Sequence, residues 1–133
     1  YVEQQHEKGQ ENLNNYFEIA KERLKDFNCH FIRKYSSEAV KDFADESLDF
    51  VFIDGDHNGT KLLQYFNVIL PKLNENSVVV VDDIRWSNDM EDAWTELKAN
   101  KQVSVSIDLF RCGVLFFRKG IAKQNFMLRY GPF

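Results

Sequence analysis

The chain has 133 residues, 44% of them hydrophobic and twelve of them Phe, which is one domain's worth of sequence (1–133) with enough apolar material for a core. Twenty-one acidic residues against 17 basic ones give a net charge of −4, and no Lys/Arg stripe offsets it, so the electrostatic footprint of nucleic-acid binding is missing. No apolar stretch approaches the roughly 20 residues of a membrane span, and the opening YVEQQHEKGQ, with neither signal peptide nor initiator Met, reads as cut from something longer.

Residues 11–27 place Leu13, Tyr16, Phe17, Ala20, Leu24 and Phe27 at three- and four-residue spacings, which predicts an amphipathic helix. CHFIRK (29–34) predicts a short strand, and Ser36 or Ser37 a cap for a small helix in SEAVKDF. LDFVFID (48–54) is almost wholly apolar, as a strand covered on both faces must be. Asn58-Gly59 reads as a turn. TKLLQYFNVILPKL then sets Leu62, Phe66, Ile69, Leu70 and Leu73 on one helical face. SVVVVDD (77–83) is a second doubly covered strand. Ser87 opens a helix in SNDMEDAWTELKAN, with Asp89 and Glu91 near its positive end and Met90, Ala93, Trp94 and Leu97 turned inward. The tail holds three strand candidates, VSVSIDLF, GVLFFRK and NFMLRY, with no helix between them. Cys29 and Cys112, in or beside strand-like runs, read as buried free thiols and point to a reducing, cytoplasmic setting.

Alternation of strands and helices followed by a strand cluster predicts an α/β domain whose sheet is mostly parallel with an antiparallel C-terminal edge. Such sheets bind ligands beyond the carboxyl ends of their strands, where Asp54-Gly55-Asp56-His57 and Asp82-Asp83 both fall. Two readings stand for each group. Asp54, Asp82 and Asp83 either converge on a hard divalent cation or cap helices and turns. Gly55 admits a ligand to the backbone or simply makes the turn. His57 is a general base or an ordinary loop histidine, and Trp86 walls a pocket or covers the sheet edge. His6 and His30 have no companions at ligand spacing, and no Cys or Ser nucleophile is supported.

LDFVFIDGDH, the helix ending LPKL, and SVVVVDDIRWS together resemble the second half of a class I S-adenosylmethionine-dependent methyltransferase, and more narrowly the small bacterial O-methyltransferase-like branch. The resemblance covers about residues 15–130 and implies a three-layer Rossmann-like fold. It implies adenine contacts at Tyr35 and Ser36, and places Asp54 and Gly55 beside the methionine moiety of the cofactor. Metal-dependent relatives similar to catechol-type enzymes imply Mg²⁺ on Asp54, Asp82 and Asp83, and a general base at His57, where those relatives carry lysine. The glycine-rich cofactor loop and the ribose-binding acid of the family are absent, which implies an N-terminally truncated, partial domain with an open sheet edge. The activity implied is O-methyl transfer to a small hydroxylated acceptor, with a homo-oligomer formed through the open edge. The alternative is a non-catalytic methyltransferase-like domain that serves as an interaction or assembly module.

Overall fold

The computed structural model describes residues 15–129, which fall into two compact units whose boundary lies between Arg33 and Lys34. In the first, helix α1 covers residues 15–23; Leu13 and the start of the expected 11–27 helix lie outside the described residues. Phe17 is the hub of this unit. Its ring meets Phe31 edge-on, centroids 6.1 Å apart, and Lys21 and Arg33 lie over it at 5.5 and 5.7 Å. The expected strand over 29–34 does not form. A run of strand-favouring residues becomes a strand only by pairing with a ladder, and here Phe31 turns to the aromatic ring of α1 instead. Cys29, in that irregular run, is exposed rather than buried, and Cys112 is only half-buried, so the expected pair of buried thiols is corrected; both are free.

The second unit begins with α2 (Ser36–Ala39), continued by a 3-10 turn at Val40–Asp42. Neither serine caps α2: the N-cap is Tyr35, and no side chain closes the end. Then follow β1 (Leu48–Ile53), α3 (Gly59–Ile69), β2 (Leu73–Val81), α4 (Asn88–Ala99), β3 (Val105–Asp108), β4 (Gly113–Phe116) and β5 (Gln124–Met127). The strands form one sheet in the order β1-β2-β4-β3-β5. β1 and β2 are adjacent and parallel, as the length of the helix between them requires, with Phe50 opposite Val78 and Ile53 opposite Val81. β4 alone runs against its neighbours, and β3 and β5 beyond it run with β1 and β2.

Both long helices are capped as polar residues at these positions should cap them. Ser87 Oγ accepts from the Met90 N–H at the start of α4. Asn58, expected only as part of a turn, is the N-cap of α3, its side chain accepting from the Lys61 N–H at 2.9 Å. Leu62, Phe66 and Ile69 of α3 meet Met90, Ala93, Trp94 and Leu97 of α4 over Leu73, Val79 and Val81 of β2 and Leu115 of β4, forming one buried cluster. Because α3 and α4 contribute to the same cluster, the expected cover on both faces is not met at β1 among the described residues, while Val78 and Val80 of β2 are half-buried. Val51 and Ile53 pack against the cluster, but Phe50 and Phe52 on the other face of β1 are 62% and 54% exposed.

Candidate active site

The parallel pairing of β1 with β2 brings their carboxyl ends side by side, so that Asp54-Gly55-Asp56-His57 and Asp82-Asp83 leave the sheet at one rim. The backbone turns sharply on both loops. His57 has φ 41° and Asp83 φ 50°, the left-handed region that only a few per cent of non-glycine residues enter. Those turns aim the two side chains at each other. His57 Nδ1 lies 3.6 Å from Asp83 Oδ2, an ion-pair distance slightly too long for a hydrogen bond. On its flat side the imidazole stacks on Trp86, centroids 4.7 Å apart and planes 26° from parallel.

Arg111, which the sequence reading passed over, completes this end of the site: Nε stands 3.4 Å from Asp83 Oδ1 and 3.7 Å from Asp82 Oδ1. Among the described residues no three His, Cys, Asp or Glu side chains are grouped as a cation site. Asp83 and Asp82 instead have their charge offset by Arg111, and Asp83 also by His57, whereas Asp54 stands exposed with no such partner among the described residues. Asp56 is turned outward to Lys61, 2.8 Å away, and to the Tyr65 hydroxyl, and the Lys61 ammonium holds its carboxyl below the usual range.

Ser36, Asp54 and Gly55 line a common cavity of about 230 Å³ between the end of β1, α2 and α3, together with Val40, Ile53 and Tyr65. Tyr35 does not join them; its side chain is exposed. Apart from Gly55 and its two chain neighbours, no atom of the described residues lies within 4 Å of the point where a Cβ on Gly55 would stand, so a ligand can approach the backbone there. Asp54 offers an unpaired carboxylate to hydroxyl or ammonium donors.

A family model described as a methyltransferase domain matches residues 1–84, the segment that includes this cavity and both acidic loops. The chain belongs to this methyltransferase family. Its fold is also that of a solved crystal structure of a protein from Corynebacterium glutamicum, at 15% identity and a TM-score of 0.59 over 74% of this chain. The chain spans about half of that protein, 54% of its length. No curated protein matches the sequence. The β1-β2-β4-β3 arrangement of the methyltransferase chain thus accords with the Rossmann-like class expected from its alternating elements.

The family implies S-adenosylmethionine as methyl donor, and the cavity beside Asp54 and Gly55 has room for only part of it. The 230 Å³ cavity falls short of the roughly 300–1,000 Å³ of a complete small-molecule site. No Gly-x-Gly occurs anywhere in the sequence to bring further backbone N–H groups to the donor. Ser36, Asp54 and Gly55 are the residues of the cavity that could hold part of it.

Proposed function

We propose that the methyltransferase acts on an oxygen of a small hydroxylated acceptor and that His57 is its general base. When bound, S-adenosylmethionine supplies a methyl group activated by a positively charged sulfur. His57 presents Nδ1 to Asp83, which leaves Nε2 to take the proton from the acceptor hydroxyl. The Asp83 carboxylate stabilises the imidazolium that results, and the Trp86 face holds the ring in plane. Asp54 and Gly55 fix the donor beside that oxygen, and the gain comes from alignment as much as from proton transfer. The observation that carries this reading is the His57–Asp83 pair at the carboxyl ends of two adjacent parallel strands.

The test is transfer of labelled methyl from millimolar donor to a panel of phenols, catechols and hydroxy acids, for the native chain and His57→Gln. With only one end of the donor enclosed, donor affinity should be weaker than about 1 μM. The variant should lose ~10²–10⁴-fold in transfer with donor binding unchanged. Transfer untouched by His57→Gln, or none to any hydroxylated acceptor, would overturn the proposal. The exposed β1 edge favours the second reading, an assembly module, which would bind no donor at any concentration.

A further inference from the structure

A second and larger cavity lies at the other end of the sheet. It holds about 530 Å³ and opens where β2 begins, where β4 ends and ahead of β3 and β5. Eight residue steps along β2, roughly 26 Å at about 3.3 Å each, separate it from the His57 rim. Its volume falls within the range of small-molecule sites.

Floor and rim differ in chemistry. Leu73, Val103 and Phe117 supply a floor of buried apolar side chains. Lys101, Arg118 and Lys119 stand on the rim, exposed, and none makes a hydrogen bond or ion pair among the described residues. Lys123 adds a fourth cation, its Nζ donating to the Asn100 carbonyl at 2.7 Å. Glu46 and Glu75 also line the cavity, and neither pairs with a rim cation. Four cations against two acids give this cavity a local charge of +2 in a chain of net −4.

We infer that this cavity binds a small organic anion, an apolar body carrying a phosphate or a carboxylate. The apolar body packs on Pro71 and Ile121, the exposed apolar side chains of the lining, above the buried floor. The anionic group meets Arg118 and Lys119, on one loop after β4, with Lys101 opposite from the turn after α4. A bare inorganic anion would leave Pro71 and Ile121 uncovered, and a neutral apolar molecule would leave the cations unused. Nothing in this site depends on His57 or on the methyl donor.

The full chain is titrated calorimetrically with phenyl phosphate, benzoate, inorganic phosphate and benzyl alcohol, and amide shifts are followed by NMR. Phenyl phosphate or benzoate should bind, the stronger of the two identifying the anionic group, and should move the amides of Val103 and Phe117. Inorganic phosphate and benzyl alcohol should each bind at least tenfold more weakly. Arg118→Gln combined with Lys119→Gln changes only exposed side chains and should weaken binding tenfold or more, while His57→Gln should leave it unchanged. No binding by either aromatic anion, equal affinity in the double variant, or shifts confined to the His57 rim would overturn the inference.

Discussion

The imidazole of His57 lies nearly flat against the indole of Trp86, 4.7 Å between centroids, although the two residues stand on different loops. Only the parallel register of β1 and β2 brings those loops together. Trp86 is 66% exposed, so its removal should cost little stability, about 0.5 kcal/mol or less. Trp86→Ala should nevertheless shift the His57 ring protons downfield in the NMR spectrum as the shielding of the indole is lost, and should lower methyl transfer. Unchanged ring-proton shifts would mean that the stack does not persist in solution.

Asp108 makes a second prediction. Its carboxylate is buried at the end of β3, where it accepts from Arg85 at 2.6 Å, from Arg129 at 3.0 Å and from the Phe110 N–H at 2.9 Å. Burial pushes its pKa up, but the Phe110 N–H, Arg129 and Arg85 together outweigh it and hold the pKa below the ordinary 3.8. A carboxyl depressed in the folded state contributes stability that is full above the unfolded value and is lost as pH falls through the folded one. Asp108→Asn should therefore destabilise the chain by about 1–3 kcal/mol at pH 7, less than a fully buried pair because both arginines reach solvent. The gap between native and variant melting curves should hold down to about pH 4 and narrow only below it. A gap that closes between pH 5 and 7 would assign the effect to another group.

Much of this architecture was legible from periodicity alone. The helices at Gly59–Ile69 and Asn88–Ala99, the Ser87 cap, the parallel β1–β2 pair and the strand-only tail all follow from local pattern and turn chemistry. What was not legible is what non-local partners decide. CHFIRK has strand composition but finds no ladder, and nothing beside Asp82 and Asp83 in sequence announces Arg111, 28 residues past Asp83, which reaches both. Ser36, Asp54 and Gly55, which the family resemblance singled out, line one cavity, whereas Tyr65, half a helix away from Gly55, carried no signal. The sign of φ at His57 and Asp83, which aims the pair, also has no signature in residue type.

Two glycines near the site separate structural from binding roles. The Gly59 N–H donates to the Asp89 carboxylate, joining the first turns of α3 and α4, and a Cβ at Gly59 would run into the Asp89 backbone carbonyl. Backbone cannot give way as a flexible side chain can, so Gly59→Ala should cost about 1–3 kcal/mol. A Cβ at Gly55 meets nothing. Gly55→Ala should leave thermal stability within about 0.5 kcal/mol of native and weaken donor binding, because the added methyl enters the cavity. Calorimetric melting and donor titration of both variants check this. A destabilised Gly55→Ala would make that residue a structural glycine.

β1 pairs on one side only. Its other side presents a row of N–H and C=O groups with no ladder partner among the described residues, beside the exposed Phe50 and Phe52. The edge carries one charge, Asp49, and no proline, which is thin protection against pairing with another chain. We propose that it draws a second copy of the chain into a two-fold dimer, since pairing with itself satisfies both edges at once. The apparent mass from light scattering should then rise with concentration toward twice 15.7 kDa. Phe50→Lys with Phe52→Lys should hold the chain monomeric without touching Val51 or Ile53, which face the core. If the native chain stays monomeric at the highest concentration reached, or if the double variant associates as strongly, the edge is not the dimer interface.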